Sequence, residues 1–349
     1  MISEEALNKA AKKLKQMDEV VKGYSSLLIV THDSPDPDSL AGAAVLGRIL
    51  GERSGINCKI GYGGFIGRAE NRAMVKYLKI KVSRLNRLKT DRRQAYALVD
   101  TQPGSGNNSL PAGIKPLIVI DHHPLRRQTV PFLDVRPDYG ASATILTEYL
   151  LASGLAITAQ MATGLAYAII SETEDLGREA SQADIEAYLS LFPKANQRIL
   201  SRIRHPKLPV YYFVCLQKAI ANAFIYRNII GSRLGRIEHP DLVPQVADLL
   251  IAHERMGWSI CTGRYKGEVY ISVRTINVKA EAGRLLRRIV NRRGTAGGHG
   301  MIAGGRISCQ GLSETECEEA ENKIIRRFLE KLGHRGEIMF KPLLSLKGN

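Results

Sequence analysis

The amino-acid sequence predicts an α/β protein in two parts, a doubly wound, mainly parallel sheet followed by a second, smaller α+β domain. Three observations carry this reading. Short apolar runs at Leu27 to Val30, Ala95 to Val99 and Leu117 to Ile120 are too brief for helices and alternate with helical periodicities, which is how parallel strands buried on both faces look. Pro206 and Pro209 interrupt a helical stretch. Past them the texture changes to a hairpin pattern and a glycine cluster.

Taken in order, Glu4 to Val21 reads as a helix with acids in its first turn, where the helix dipole favours them. The stretch from Leu27 gives a buried strand, a polar loop and a helix from about Ser39, whose Ala41, Gly42, Ala43 and Ala44 let it lie close to a sheet. Further strands are expected around Cys58 to Gly61, Lys79 to Val82, Ala95 to Val99 and Leu117 to Ile120. Helices are expected near Asn71 to Tyr77, Ser142 to Ala152, Ala159 to Ile170, Ala183 to Phe192, Asn196 to Ile203 and Val210 to Arg227. A strand Ile229 to Ile237, a helix Leu242 to His253 and a hairpin of Trp258 to Gly263 with Glu268 to Thr275 follow. A basic helix Ala280 to Arg292, the glycine cluster GTAGGHGMIAGG, a strand Arg306 to Cys309 and a helix Glu314 to Leu332 complete the order. The domains read as residues 1–195, a helical linker over 196–227, and 228–349.

Composition narrows the class. The 349 residues leave room for two cores, and 44% hydrophobic with 24% charged residues is ordinary for a globular protein. Lys and Arg number 50 against 34 Asp and Glu, a net charge of +16 that favours polyanionic partners such as nucleic acid, nucleotides or anionic lipid. Five scattered cysteines without a C-x-x-C pair read as reduced thiols. The charged amino terminus and the absence of any run near the ~20 apolar residues of a membrane span lead to an expected cytoplasmic location with no membrane partner.

The chemistry gathers at strand ends. The loop after the first strand places His32, Asp36 and Asp38 in the pattern H-x-x-x-D-x-D, stiffened by Pro35 and Pro37, which suits a divalent ion accepting both imidazole and carboxylate. The strand Ala95 to Val99 ends in Asp100, and the strand Leu117 to Ile120 ends in Asp121, His122 and His123. In open α/β sheets ligands bind at the carboxyl ends of the strands. Three strand ends carrying hard or borderline ligands point to two metal ions sharing a carboxylate, with Asp100 the candidate for the shared one.

Together with the glycine cluster around His299, these motifs resemble the DHH phosphoesterase superfamily with its DHHA1 domain, from about Ser26 to Gly311. The chain is most similar to the nanoRNase (oligoribonuclease) and pAp-phosphatase type. The resemblance implies that 1–195 is a DHH metal-binding catalytic domain and 228–349 a DHHA1 substrate-binding domain. His32 and Asp36 would hold one Mn²⁺ and Asp38 and His122 the other, with Asp100 bridging them. His123 would face the scissile phosphate and Asp121 would orient its neighbour. The family's last carboxylate falls in AYAIISETEDLGRE, where Glu172 is the chosen ligand and Asp175 the fallback. Arg274 corresponds to a phosphate-gripping arginine, and Gly297, Gly298 and His299 match the substrate loop, with Ala296 where the signature carries a third glycine. Arg292 or Arg293 could add charge for a polyanion.

The implied function is a phosphoesterase that hydrolyses short oligonucleotides or pAp-like nucleotides with a water activated by two metal ions. Its partners would be short single-stranded RNA or DNA, or nucleotide phosphates, with a homodimer among the expected assemblies. A cyclic-dinucleotide or linear-dinucleotide phosphodiesterase is the alternative within the class. A catalytically weakened nucleotide-binding regulator is the alternative outside it, motivated by Glu172 standing where the family carries Asp.

Overall fold

The structure, a computed structural model, describes residues 2–88, 94–177, 179–277 and 279–344, without the His299 side chain. It divides into two compact units, Met1–Lys207 and Leu208–Asn349. The boundary falls inside the stretch expected as a linker.

The first unit opens with α1 (Glu4–Val21), where Ser3 caps the helix by accepting from the Ala6 N–H at 3.2 Å. After β1 (Ser26–Val30), α2 (Pro37–Ser54) begins two residues earlier than the apolar pattern suggested. Asp36 is its N-cap, accepting from the Ser39 N–H at 2.9 Å, and Pro37 occupies the first turn, where a missing N–H costs nothing. Gly42 lets this helix close on the sheet, since a Cβ there would meet Val99 at 2.9 Å. The chain continues through β2 (Asn57–Tyr62), α3 (Ala69–Tyr77), β3 (Val82–Arg84), β4 (Ala95–Val99), β5 (Ile118–Asp121) and β6 (Phe132–Val135). Helices α4 (Ser142–Ala152), α5 (Ala159–Glu172), α6 (Gln182–Leu191) and α7 (Gln197–Arg204) complete the unit.

The six strands form one parallel sheet in the order β3-β2-β1-β4-β5-β6. The order reverses between β1 and β4, which opens a crevice at their carboxyl ends. Alternate residues of the strands face opposite sides. Leu27, Ile29, Ala97, Val99 and Ile120 join the large core of α1, α2, α4 and α5. Leu28, Val30, Leu98 and Val119 form a smaller core with Leu85, Leu110, Ile114 and Val130. No helix links β4 to β5 or β5 to β6, so two long loops stand where crossover helices are usual. Strand β6, absent from the sequence reading, carries Asp134 beside Arg136 in a charged FLDVR stretch that looks like a loop. Its Phe132 is buried in the large core, Leu133 and Val135 pack against the smaller one, and Asp134 is buried with Arg136, which also pairs with Glu148.

The second unit holds α8 (Val210–Ala221), β7 (Ala223–Tyr226), β8 (Ile229–Arg236), α9 (Leu242–Ile251), β9 (Trp258–Tyr265), β10 (Glu268–Thr275), α10 (Ala282–Val290), β11 (Gly294–His299), β12 (Ile302–Ser308), α11 (Glu314–Lys331) and β13 (Lys341–Pro342). Its mixed sheet runs β11-β12-β10-β9-β8-β7-β13, with β8 and β9 parallel. One face packs on α10 and α11, and the other on α8 and α9.

Two expectations change here. The helix read as Val210 to Arg227 ends at Ala221, because Ala223–Tyr226 pairs with β8. The glycine cluster is a hairpin rather than a loop: Gly297 pairs with Gly304 and Gly298 with Ala303. Its glycines serve close approach as well. A Cβ on Gly283 of α10 would lie 1.9 Å from the Gly298 carbonyl oxygen, so the helix rests directly on β11. Leu200 and Ile203 of α7 lie in the first unit's core, and Cys215 and Ala219 of α8 in a core of the second.

Candidate metal centre

Strands β1, β4 and β5 are neighbours in register, so the residues that leave their carboxyl ends meet. Asp100 sits at the middle. It is only 2% exposed and holds a left-handed backbone, φ 61°, which Asp tolerates better than most side chains. Its N–H donates to the Ile120 carbonyl at 2.9 Å, and it accepts from Ser142 Oγ at 3.1 Å.

Two ligand clusters share Asp100. His32, Asp36 and Asp100 form one, and Asp100, His122 and His123 the other, the ligand atoms within each lying within 4.8 Å of one another. His32 Nδ1 donates to the Asp33 carbonyl at 3.0 Å, which turns Nε2 toward Asp36 Oδ2 at 3.3 Å and Asp100 Oδ2 at 3.6 Å. His122 Nδ1 donates to the Tyr139 carbonyl at 3.1 Å, which aims Nε2 at Asp100 Oδ1 at 3.6 Å. A carbonyl can only accept, so both rings carry the proton on Nδ1 and present Nε2 inward.

The electrostatics of the site ask for a cation. Burial, then the charges of Asp38, Asp36, Asp121 and Glu172, push the Asp100 carboxyl well above the ordinary range. Asp38 is raised by burial and by Glu172 and Asp36, although the amides of Ser142 and Ala143 oppose this. Burial would lower His32, but the Asp36 charge and hydrogen bond lift it to about 9, so the imidazolium stands in for positive charge. His122 goes the other way, lowered by burial and by His123, and its buried Nε2 has no hydrogen-bond partner. A lone pair aimed at a carboxylate, inside a crowd of buried acids, fits a divalent ion.

The other residues singled out in the sequence are placed as follows. Asp38 lies in the first turn of α2, fully buried, with Oδ2 accepting from the Ser142 N–H and Oδ1 from the Ala143 N–H, both at 2.7 Å. It is thus tied to the start of α4, each oxygen keeping a second lone pair. Glu172 ends α5, and its charge acts on His32, Asp38, Asp100 and His123. Asp175 is turned away, its side chain 67% exposed and paired with Arg204 at 2.9 Å within a run of three left-handed residues, Glu174 to Leu176.

Asp121 Oδ1 accepts from His123 Nδ1 at 2.9 Å and from the His122 N–H at 2.9 Å. Burial would lower the His123 pKa, but Asp121 raises it above the usual value. Sequence reasoning passed over Gln102, 2% exposed, whose Nε2 donates to Asp121 Oδ2 at 2.7 Å. Its place three residues beyond a strand end was the only signal available.

In the second unit Arg274 is buried. Its Nε pairs with Asp248 of α9, and its Nη1 donates to Ser272 Oγ at 2.7 Å and to the Val273 carbonyl at 3.0 Å. Arg274 and His299 both pair with Ile302, so they stand level across three adjacent strands. The His299 side chain lies outside the described residues. No atom comes within 4 Å of a Cβ built on Gly297, so neither packing nor backbone strain explains that glycine. Arg292 and Arg293 are exposed in a short turn after α10. No helix among the described residues is long and apolar enough to cross a membrane.

Residues 26–169 match the N-terminal domain of the DHH family. The protein MJ1633 of Methanocaldococcus jannaschii is 33% identical over 336 residues, which cover 94% of this chain and 68% of that protein. An exopolyphosphatase-related protein from Bacteroides fragilis has the same fold, with a TM-score of 0.71 at 14% identity over 92% of this chain and 98% of that one. RecJ from Thermus thermophilus, solved in complex with Mn²⁺, gives a TM-score of 0.52 at 16% identity over 96% of this chain and 56% of its own. The matched segment runs from β1 into α5 and so contains both ligand clusters, and the chain belongs to the DHH family.

Proposed function

We propose that the chain is a metal-dependent phosphoesterase that hydrolyses short oligonucleotides or pAp-like nucleotide phosphates. The observation that supports this most is the pair of ligand clusters meeting at Asp100. His32 and Asp36 would hold one divalent ion and His122, Asp38 and Glu172 a second, with Asp100 common to both. Mn²⁺ is the proposed metal, since these imidazole and carboxylate donors suit it. Such ions, when bound, acidify water and offset charge on phosphoryl oxygens.

His123 is the proposed general acid. Its Nδ1 is held by Asp121, which keeps the ring oriented and favours the protonated form, so Nε2 can give a proton to the leaving oxygen. Gln102 in turn holds Asp121 from the other oxygen. In the second unit, Arg274, Gly297, Gly298 and His299 are the proposed group for a substrate phosphate, and Arg274 would exchange its Asp248 partner on binding.

Incubation with Mn²⁺ and a panel of pAp, a linear dinucleotide, a five-residue oligonucleotide and a cyclic dinucleotide tests the reading. Release of mononucleotide or phosphate from the first three, lost in Asp100→Ala, is expected. Turnover of the cyclic substrate alone would replace it with the cyclic-dinucleotide alternative. Binding without product from any of the four would favour the regulator.

A further inference from the structure

The loop from His123 to β6, one of the two that stand where crossover helices are usual, is anchored at the metal centre. The Gln102 carboxamide does this from both ends. Its Nε2 donates to Asp121 Oδ2 at 2.7 Å and to the Pro124 carbonyl at 3.2 Å. Its Oε1 accepts from the Arg126 N–H at 2.8 Å and from Gln128 Nε2 at 3.0 Å. One buried amide therefore fixes the DHH motif and this loop against each other.

Leu125, Arg126, Arg127, Gln128 and Thr129, with Leu133 of β6, line a cavity of about 530 Å³. Neither arginine has a carboxylate partner among the described residues, and Arg126 only donates Nη1 to the Gly104 carbonyl at 3.1 Å. Gln128 Oε1 is buried and has no hydrogen-bond partner. A cavity with two uncompensated guanidiniums and one acceptor lacking a donor is complementary to a ligand carrying both a phosphate and a hydroxyl or amino group. A nucleotide carries both.

We propose that this cavity is a nucleotide subsite of the first unit, with the phosphate on Arg126 and Arg127 and, once the Gln128 carboxamide turns toward the cavity, a ribose hydroxyl or base amino group donating to its Oε1. Its use, holding the nucleotide next to the scissile bond, rests on the phosphoesterase reading. Its existence does not, because binding needs neither metal nor turnover.

The test titrates the full chain in EDTA with AMP, adenosine and inorganic phosphate by calorimetry. The proteins compared are wild type, Arg127→Ala, Gln128→Leu and, as a control on an exposed helix face, Arg48→Ala. AMP is expected to bind wild type and Arg48→Ala equally and Arg127→Ala at least tenfold more weakly. Gln128→Leu should weaken AMP and leave phosphate unchanged. Unaltered AMP binding in both loop variants, or an equal loss in Arg48→Ala, would overturn the subsite. Both loop substitutions are at the surface or on a cavity wall, and circular dichroism of each variant checks that it is folded. With Mn²⁺ and a dinucleotide, Arg127→Ala should raise KM and leave kcat in place. A protein that turns over nothing yet loses AMP binding on Arg127→Ala keeps the subsite and sinks the phosphoesterase reading alone. If a dinucleotide binds through Arg127 but AMP does not, the site reads a phosphodiester and the mononucleotide assignment fails.

Discussion

The proposed metal site would be coupled to pH through His32. Its imidazole is raised to about 9 by Asp36 in the metal-free chain, and a ligand nitrogen must shed its proton before it can bind a cation. Well below pH 9 each ion taken by that cluster would therefore displace about one proton from His32, and affinity would climb as pH rises toward 9. Calorimetry of Mn²⁺ binding in buffers of different ionisation enthalpy would measure the released protons, and a pH-independent affinity would refute the assignment. Asp100→Ala should lower turnover by more than about a hundredfold, because loss of a metal's outer partners alone costs roughly 10–100-fold. Steady-state kinetics with the substrate panel measure it. At this scale the sequence located His32, Asp100 and His122, since each closely follows a recognisable buried strand. Gln102 escaped, because an amide in a loop carries no periodicity and its role exists only once β4 and β5 lie side by side.

The elements show two kinds of glycine around one hairpin. Gly283→Ala would drive a Cβ onto the Gly298 carbonyl and should destabilise the second unit by about 1–3 kcal/mol, as overpacking does. Gly297→Ala meets open space and should leave the urea midpoint in place while raising KM for the nucleotide substrate. A midpoint lowered by both would mean that the whole hairpin is structural. Strand β6 adds a buried ion pair to its apolar contacts through Phe132, Leu133 and Val135. Arg136 donates to both oxygens of Asp134, at 3.1 and 2.8 Å, and also pairs with Glu148 of α4. Burial pushes the Asp134 carboxyl up, but the hydrogen bonds and charge of Arg136 outweigh it and hold the pKa below the ordinary value. Its contribution is thus complete above the unfolded pKa of about 3.9 and is lost as pH falls through the lower folded value. Asp134→Ala should cost about 3–5 kcal/mol near neutral pH, by leaving Arg136 short of a buried partner, and the gap from wild type should close in acid. Urea unfolding followed from neutral pH down into the acid range checks both.

Across the molecule the formal charge is +16, yet the first unit gathers the buried acids Asp38, Asp100 and Asp121, so the local charge at that cluster is opposite in sign to that of the chain. A divalent ion bound at the first unit should stabilise that unit by roughly 2.7 kcal/mol at a hundredfold excess over its Kd. Hydrogen exchange should then slow in β1, β4 and β5 and stay unchanged in β9 and β10, with EDTA reversing the effect. The sequence by itself determined the alternation of strands and helices, the break near Pro206 and Pro209, and the acids and histidines at the strand ends. These are written in local periodicity, proline geometry and the side chains that follow a buried run. Only the tertiary structure decided that Asp38 is tied to α4, that Asp175 turns outward to Arg204, and that the glycine cluster is a hairpin. Those outcomes depend on which elements become neighbours, and buried charge and backbone approach have meaning only after the neighbours are in place.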